Sequence, residues 1–260
     1  MTRNELKNII DSKPYDFLRE NEHLGKHMMY LTIGGSYAYG TNQEGSDVDI
    51  RGVTLNSKSD LIGISEFEHY VDKVTDTTVF SFNKAVKLMC SGNPNMLEQL
   101  GNADDLVISY HPTTKMLMEN KSLFLSKKIF DSFGGFATKL GKESERISMD
   151  LHNRPSEVPT RTHLCKTMMN EARLYLMLFD IAEQGEIVTH REKDRKFLMD
   201  IRNGEYVHKN GRIKNLYQDI IRDFDKRFQY DKQNCSLTDK VDMKAVNELV
   251  MTINEESLKI

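Results

Sequence analysis

The sequence predicts an α+β fold: a small mixed sheet flanked by helices over residues 1–115, then a helical domain over 116–260. Strand-like and helical runs alternate up to about residue 120, and only helical spacing recurs beyond it. Residues 28–34, Met-Met-Tyr-Leu-Thr-Ile-Gly, read as a strand that stops at its glycines. Residues 47–54 alternate with period two, which points Val48 and Ile50 to the core and Asp47, Asp49 and Arg51 to the other face. β-Branched and aromatic residues concentrate over Thr77–Phe82, a further strand. Residues 83–91 have helical apolar spacing and run into Gly92-Asn93-Pro94. That turn stops one helix, and its asparagines suit the cap of the next.

Residues 122–147 read as a long amphipathic helix interrupted at Gly134-Gly135, and Asn153-Arg154-Pro155 with Pro159 mark a loop. Over 161–184 a wide apolar stripe from Leu164 to Ile181 predicts a buried helix, closed by Gly185. Further helices are expected at 191–203, 215–229 and 242–257. No repeat or low-complexity tract interrupts this order.

Composition narrows the functional classes. A hydrophobic share of 38% with 29% charged residues is that of a folded globular chain. A net charge of −3 excludes a globally basic nucleic-acid binder while leaving room for a local patch. No apolar run reaches the roughly 20 residues that span a bilayer, and the charged start Met-Thr-Arg-Asn-Glu-Leu-Lys is no signal peptide. Cys90, Cys165 and Cys235 are too few and too scattered for a disulfide framework, so a cytoplasmic location is expected. The histidines form no triad, and no Cys/His spacing suggests zinc. Methionines at 28, 29, 168 and 169 read as adaptable core filler. Residues 191–230 are rich in Lys and Arg, with Tyr206, Tyr217 and Phe228 between them. A solvated helical face is the plainer reading there, a nucleic-acid groove the sharper one.

The chemistry concentrates in residues 33–52, Ile-Gly-Gly-Ser-Tyr-Ala-Tyr-Gly-Thr-Asn-Gln-Glu-Gly-Ser-Asp-Val-Asp-Ile-Arg-Gly. The Gly35 and Ser36 N–H groups and the Ser36 hydroxyl suit a phosphate cradle. Asp47 and Asp49, two apart on one strand face, are like charges that need a counter-cation, and a hard divalent ion such as Mg2+ supplies it. Two ions roughly 3.5–4 Å apart serve phosphoryl and nucleotidyl transfer when carboxylates fix them, with Mn2+ as a substitute. Arg51 is placed to contact phosphate or to balance the acids, and Ser46 to orient Asp47. A third carboxylate is wanted. Asp76, at the head of the Thr77–Phe82 strand, is the first candidate, with Asp72, Glu66 and Glu68 as competitors.

Gly-Ser, a short spacer, then Asp-hydrophobic-Asp resembles the signature of the DNA polymerase β-type nucleotidyltransferase superfamily. The wording Gly-Ser-Tyr-Ala-Tyr-Gly-Thr and Ser-Asp-Val-Asp-Ile-Arg-Gly is similar to the YcgL/RlaP-like branch, proteins associated with an RNA ligase and a polynucleotide kinase. So are Ser91-Gly-Asn-Pro-Asn-Met-Leu-Glu98, Lys166-Thr-Met-Met-Asn-Glu-Ala-Arg173 and Ile201-Arg-Asn-Gly204-Glu. The resemblance covers about residues 28–210 and leaves 211–260 unmatched.

It implies a polymerase β-like fold and a Mg2+-dependent nucleotidyltransferase that moves an NMP from an NTP to an acceptor hydroxyl, on RNA or protein, releasing pyrophosphate. Asp47, Asp49 and Asp76 would be catalytic and metal-binding. Gly35, Ser36, Ser46, Arg51, Lys166 and Arg173 would bind nucleotide. Asn170 stands where the family often has histidine, so that histidine's role is not carried over. Two rivals remain at this point: a non-catalytic NTP- or RNA-binding regulator on the same fold, antitoxin-like or a sensor, and a metal-dependent nuclease or phosphatase.

Overall fold

A computed structural model describes residues 1–153 and 160–260. Its elements begin with α1 (Arg3–Ile10), α2 (Phe17–Glu20), β1 (Met28–Ile33) and α3 (Gly35–Tyr39). They continue through β2 (Ile50–Thr54), α4 (Lys58–Ile62), β3 (His69–Asp72), β4 (Thr77–Ser81), α5 (Phe82–Cys90) and α6 (Pro94–Leu100). Then come β5 (Val107–Ser109), α7 (Thr113–Glu119), α8 (Lys128–Asn153) and α9 (Arg161–Gln184). The chain closes with α10 (Arg195–Arg202), α11 (Asn215–Asn234) and α12 (Met243–Ser257). The expected loop at 153–159 lies outside the described residues except for Asn153, which ends α8. No helix among the described residues is long and apolar enough to cross a membrane.

Two compact units divide the chain. Met1–Leu125, Val188–His190 and Lys240–Ile260 form a sheet unit; Ser126–Ile187 and Arg191–Asp239 form a helical unit. This differs from a contiguous division at residues 115 and 116, because two later segments pack back into the sheet unit. In α12, Val246, Leu249 and Ile253 are buried on one face, at the spacing of an amphipathic helix. Asn254 Nδ2 donates to Asn83 Oδ1 at 3.0 Å, and the Ser257 hydroxyl donates to the Asn56 carbonyl.

The sheet has the order β3-β4-β2-β1-β5. β1 pairs antiparallel with β2 and β5, β4 pairs parallel with β2, and β3 pairs antiparallel with β4. The α+β class is as expected: a small mixed sheet with helices and a helical continuation. All six residues of β1 are buried, and each large apolar side chain among them contributes roughly 1.5–3 kcal/mol by leaving water. Leu6, Ile10, Leu18 and Leu24 pack with Met28, Leu31, Ile50 and Val79 as the core under it.

Two elements differ from expectation. β2 starts at Ile50, so Asp47 and Asp49 lie on the segment leading into the strand and not on it. The partner strand runs out: Gly34 N–H still donates to the Asp49 carbonyl at 2.8 Å, one rung beyond Ile33 and Ile50, but β1 gives way to α3 at Gly35. α8 runs unbroken through Gly134-Gly135. A Cβ at Gly134 would stand 2.8 Å from Phe228 Cζ, so this glycine admits a ring of α11 and does not end the helix.

In the helical unit α9 is central and packs on α8, α10 and α11. Leu164, Met168, Met169 and Ala172 join Ile147, Leu198, Ile201 and Tyr217 in its core, and Gly185 at φ +69 ends the helix. Tyr206 packs against that core, and the Phe228 ring sits 5.4 Å from Phe130. Of the aromatics between the basic residues, Tyr217 is thus buried, and Tyr206 and Phe228 are half-buried against other side chains. Neighbouring cations pair along their own helices, Arg222 with Asp219 and Lys226 with Asp223.

Candidate active site

The site is built on the turn between β1 and α3. Gly35 sits at φ +59, a left-handed conformation that glycine adopts at little cost. Space demands glycine there as well. A Cβ on Gly35 would coincide with the Asp49 carboxylate and stand 2.9 Å from its Cγ, and one on Gly34 would stand 3.0 Å from Arg51 Cγ. The two glycines thus let an acid and a guanidinium stem lie directly on the backbone. Ser36 follows, half-buried, and its carbonyl accepts from Thr41 N–H at 2.9 Å. α3 closes at Gly40, φ +72.

Asp49 is half-buried and Asp47 is exposed. Asp76 comes to Asp49 through strand register. β2 and β4 run parallel with Ile50 beside Thr77, so the residues just before each strand are neighbours, and Ile50 N–H donates to the Asp76 carbonyl at 3.3 Å. Asp76 is the non-glycine residue at positive φ (+44) among the described residues, a conformation aspartate tolerates better than most.

Arg51 joins the two acids. Its Nη2 is 3.1 Å from Asp76 Oδ1 and 3.8 Å from Asp49 Oδ1, and its Nη1 donates to the carbonyls of Ile50 and Asp76. The competitors for the third acid are engaged or remote. Asp72 caps its own turn, accepting from Thr75 N–H and Oγ1 at 2.8 Å, and these bonds hold its carboxyl below the usual range. Glu68 pairs with Lys84 at 2.9 Å, and Glu66 is exposed. Ser46 accepts from Gln43 N–H at 2.8 Å and so shapes the turn before Asp47.

Among the described residues no group of three His, Cys, Asp or Glu side chains converges as a metal cage. The donor set still suits a hard cation, because Asp49 and Asp76 offer only oxygen and already share one positive charge, the Arg51 guanidinium.

Lys166 and Arg173 belong to the helical unit, on α9. Lys166 is exposed and Arg173 is buried, so these two residues, two helical turns apart, do not share an environment. Glu171 beside them is 5% exposed and accepts from Tyr217 Oη at 2.9 Å. Burial pushes its carboxyl up to about 7.

The turn at Gly92-Asn93-Pro94 does what its residues predict: Gly92 is left-handed, and Asn93 Oδ1 accepts from Met96 N–H at 3.3 Å to cap α6. The motif that contains Glu98 does not say what the residue touches, and no motif marks residues 188–190. Glu98 is buried and accepts from Tyr39 Oη at 2.7 Å; Thr189 donates to the Glu98 carbonyl at 2.7 Å. Nothing local marks Thr189 or His190, because their partners are distant in sequence.

A glycine turn closing the first strand, an acid lying on it, and a second acid at the head of the adjoining parallel strand define the class, an α+β protein of the polymerase β type. The model of the RNA repair pathway DNA polymerase beta family, RlaP, matches residues 3–252, and the chain belongs to that family. The match takes in residues 211–252, which carried no resemblance by motif. No curated protein matches the chain.

Proposed function

We propose that the protein is a Mg2+-dependent nucleotidyltransferase that moves an NMP from an NTP to an acceptor hydroxyl and releases pyrophosphate. The supporting observation is the Asp49 carboxylate lying on the Gly35 turn while Arg51 links it to Asp76. In this reading the Gly35 and Ser36 N–H groups and the Ser36 hydroxyl hold the triphosphate, and Arg51 exchanges carboxylate for phosphate when nucleotide arrives. Asp47, Asp49 and Asp76 are the residues that would hold Mg2+ or Mn2+, which when bound neutralises charge on the phosphates and the attacking oxygen. The acceptor oxygen bonds to the α-phosphorus as the α–β bridging P–O bond breaks; the hydroxyl proton passes to Asp76, and pyrophosphate leaves.

The family's place in RNA repair favours an RNA end as acceptor. Lys166 is offered as a contact for nucleotide or acceptor, and Arg173, being buried, as the support of its helix. A cytoplasmic location belongs to the same reading and is supported by three free cysteines.

The test is incubation with Mg2+ and each labelled NTP over RNA, DNA and protein acceptors, with pyrophosphate monitored. Label on RNA with stoichiometric pyrophosphate, lost in a folded Asp49→Asn, is the expected result. Equal turnover in Asp49→Asn refutes the metal assignment. NTP binding without pyrophosphate indicates the regulator, label on protein indicates AMPylation, and cleavage without NTP indicates a hydrolase.

A further inference from the structure

Glu98 is a buried acid that the chemistry above does not use. It lies on α6 at 7% exposure, and its Oε2 accepts from Tyr39 Oη at 2.7 Å. Tyr39 is the last residue of α3, the helix that begins at Gly35. A five-residue helix leaves most of its end groups without intrahelical partners and is unstable alone, so contacts from outside must fix it. The N-terminal end is fixed by Asp49, through its carbonyl and its side chain.

The other end meets a second element. Residues Val188–His190 belong to the sheet unit although both flanks belong to the helical one. Thr189 Oγ1 donates to the Glu98 carbonyl at 2.7 Å, and Thr189 N–H donates to the Gly101 carbonyl at 3.4 Å. The next residue lays its ring on Gly40, the residue that closes α3, where a Cβ would stand 2.5 Å from His190 Cε1. Glu98 therefore takes Tyr39 with its side chain and the 188–190 strap with its backbone.

We propose that Glu98, Tyr39 and the Val188–His190 strap form a clamp that positions α3, and with it the Gly35-Ser36 turn, for nucleotide. This rests on the transferase reading. Gly35 lies roughly 6 Å along the helix from Tyr39, so a tilt at the clamped end is felt at the Ser36 turn. Displacements of about 1 Å at such contacts cost up to about a hundredfold in rate. Glu98 and Tyr39 act through α3 and are positioning residues.

The test compares Tyr39→Phe, Glu98→Leu and Glu98→Gln, the last keeping a carbonyl acceptor for the tyrosine. In nucleotide-free protein, amide exchange at residues 38–41 rises about tenfold in Tyr39→Phe and Glu98→Leu and returns toward wild type in Glu98→Gln, with β1 and α5 unchanged. Affinity for Mg2+ with ATP, GTP, CTP or UTP falls about tenfold in the first two and is rescued in the third. In turnover the loss falls on KM for NTP and not on KM for acceptor. Unchanged exchange in a folded Tyr39→Phe, or a Glu98→Gln as impaired as Glu98→Leu, overturns the clamp. A wild-type protein that binds no nucleotide overturns the transferase reading, while the exchange data still decide the clamp.

Discussion

Among the described residues two acids are packed on a glycine, one in each unit, and their surroundings are opposite. Asp49 covers Gly35 at a half-exposed strand end with a guanidinium beside it. Glu171 covers Gly141 inside the helical unit, where a Cβ would stand 2.5 Å from its Oε1, and its partner is the neutral Tyr217 hydroxyl. In both places glycine is kept because an oxygen has taken the space of a side chain. The difference lies in what else reaches the oxygen. Water and a cation favour a charged carboxylate, whereas burial favours the neutral acid. The first arrangement suits exchange of one cation for another, the second suits a fixed joint between α8, α9 and α11.

The largest effects test the Asp49 side. Gly35→Ala drives a methyl into the carboxylate and forces alanine to φ +59, and Asp49→Asn removes the charge. Each is expected to reduce nucleotidyl transfer by roughly a thousandfold, read as pyrophosphate release. If Gly35→Ala keeps full activity, the close approach is irrelevant to function.

Next is the pH dependence on the Glu171 side. Its carboxyl is raised from 4.5 to about 7, so its favourable contribution is fully present below about pH 4.5 and is lost as pH rises through 7. Glu171→Gln removes that loss and is expected to stabilise the helical unit by up to about 3 kcal/mol at pH 8 and by nothing at pH 4.5. Denaturation followed by exchange of α8 and α9 amides measures it, and an equal gain at both pH values would break the contrast.

Gly141→Ala is expected to cost about 1–3 kcal/mol by overpacking the same joint, seen as a lower melting temperature with the sheet unit unaffected. The smallest effect is at the surface. Arg222→Ala, which removes the exposed pair with Asp219, is expected to change stability by less than about 0.5 kcal/mol.

What could be read from the sequence was whatever depends on neighbours along the chain. The apolar run of β1, the amphipathic spacing of α5 and α9, the Gly185 stop and the Asn93 cap are local devices and were legible. So was the Gly-Ser, spacer, Asp-x-Asp signature that carries the family likeness, though not that Asp49 lies on Gly35. The continuity of α8 through Gly134-Gly135 was hidden because Phe228, its reason, lies far along the chain. The start of β2 at Ile50 was hidden because it is set by where the partner strand β1 turns into α3, more than ten residues earlier in the chain. The edge strands β3 and β5 are only four and three residues long, too short for periodicity to mark. Glu98 was visible as a motif residue, but its partners Tyr39 and Thr189 meet it only in three dimensions.

The return of α12 to the sheet unit bears on how the protein is made. During vectorial synthesis residues 126–187 and 191–239 are made before Met243–Ser257, so every segment of the helical unit is synthesised while the sheet unit still lacks one. Until Ser257 emerges, Asn56 and Asn83 are without the α12 partners they have in the finished fold. The sheet unit starts first and finishes last, so its fold is completed only after every segment of the helical unit has been made.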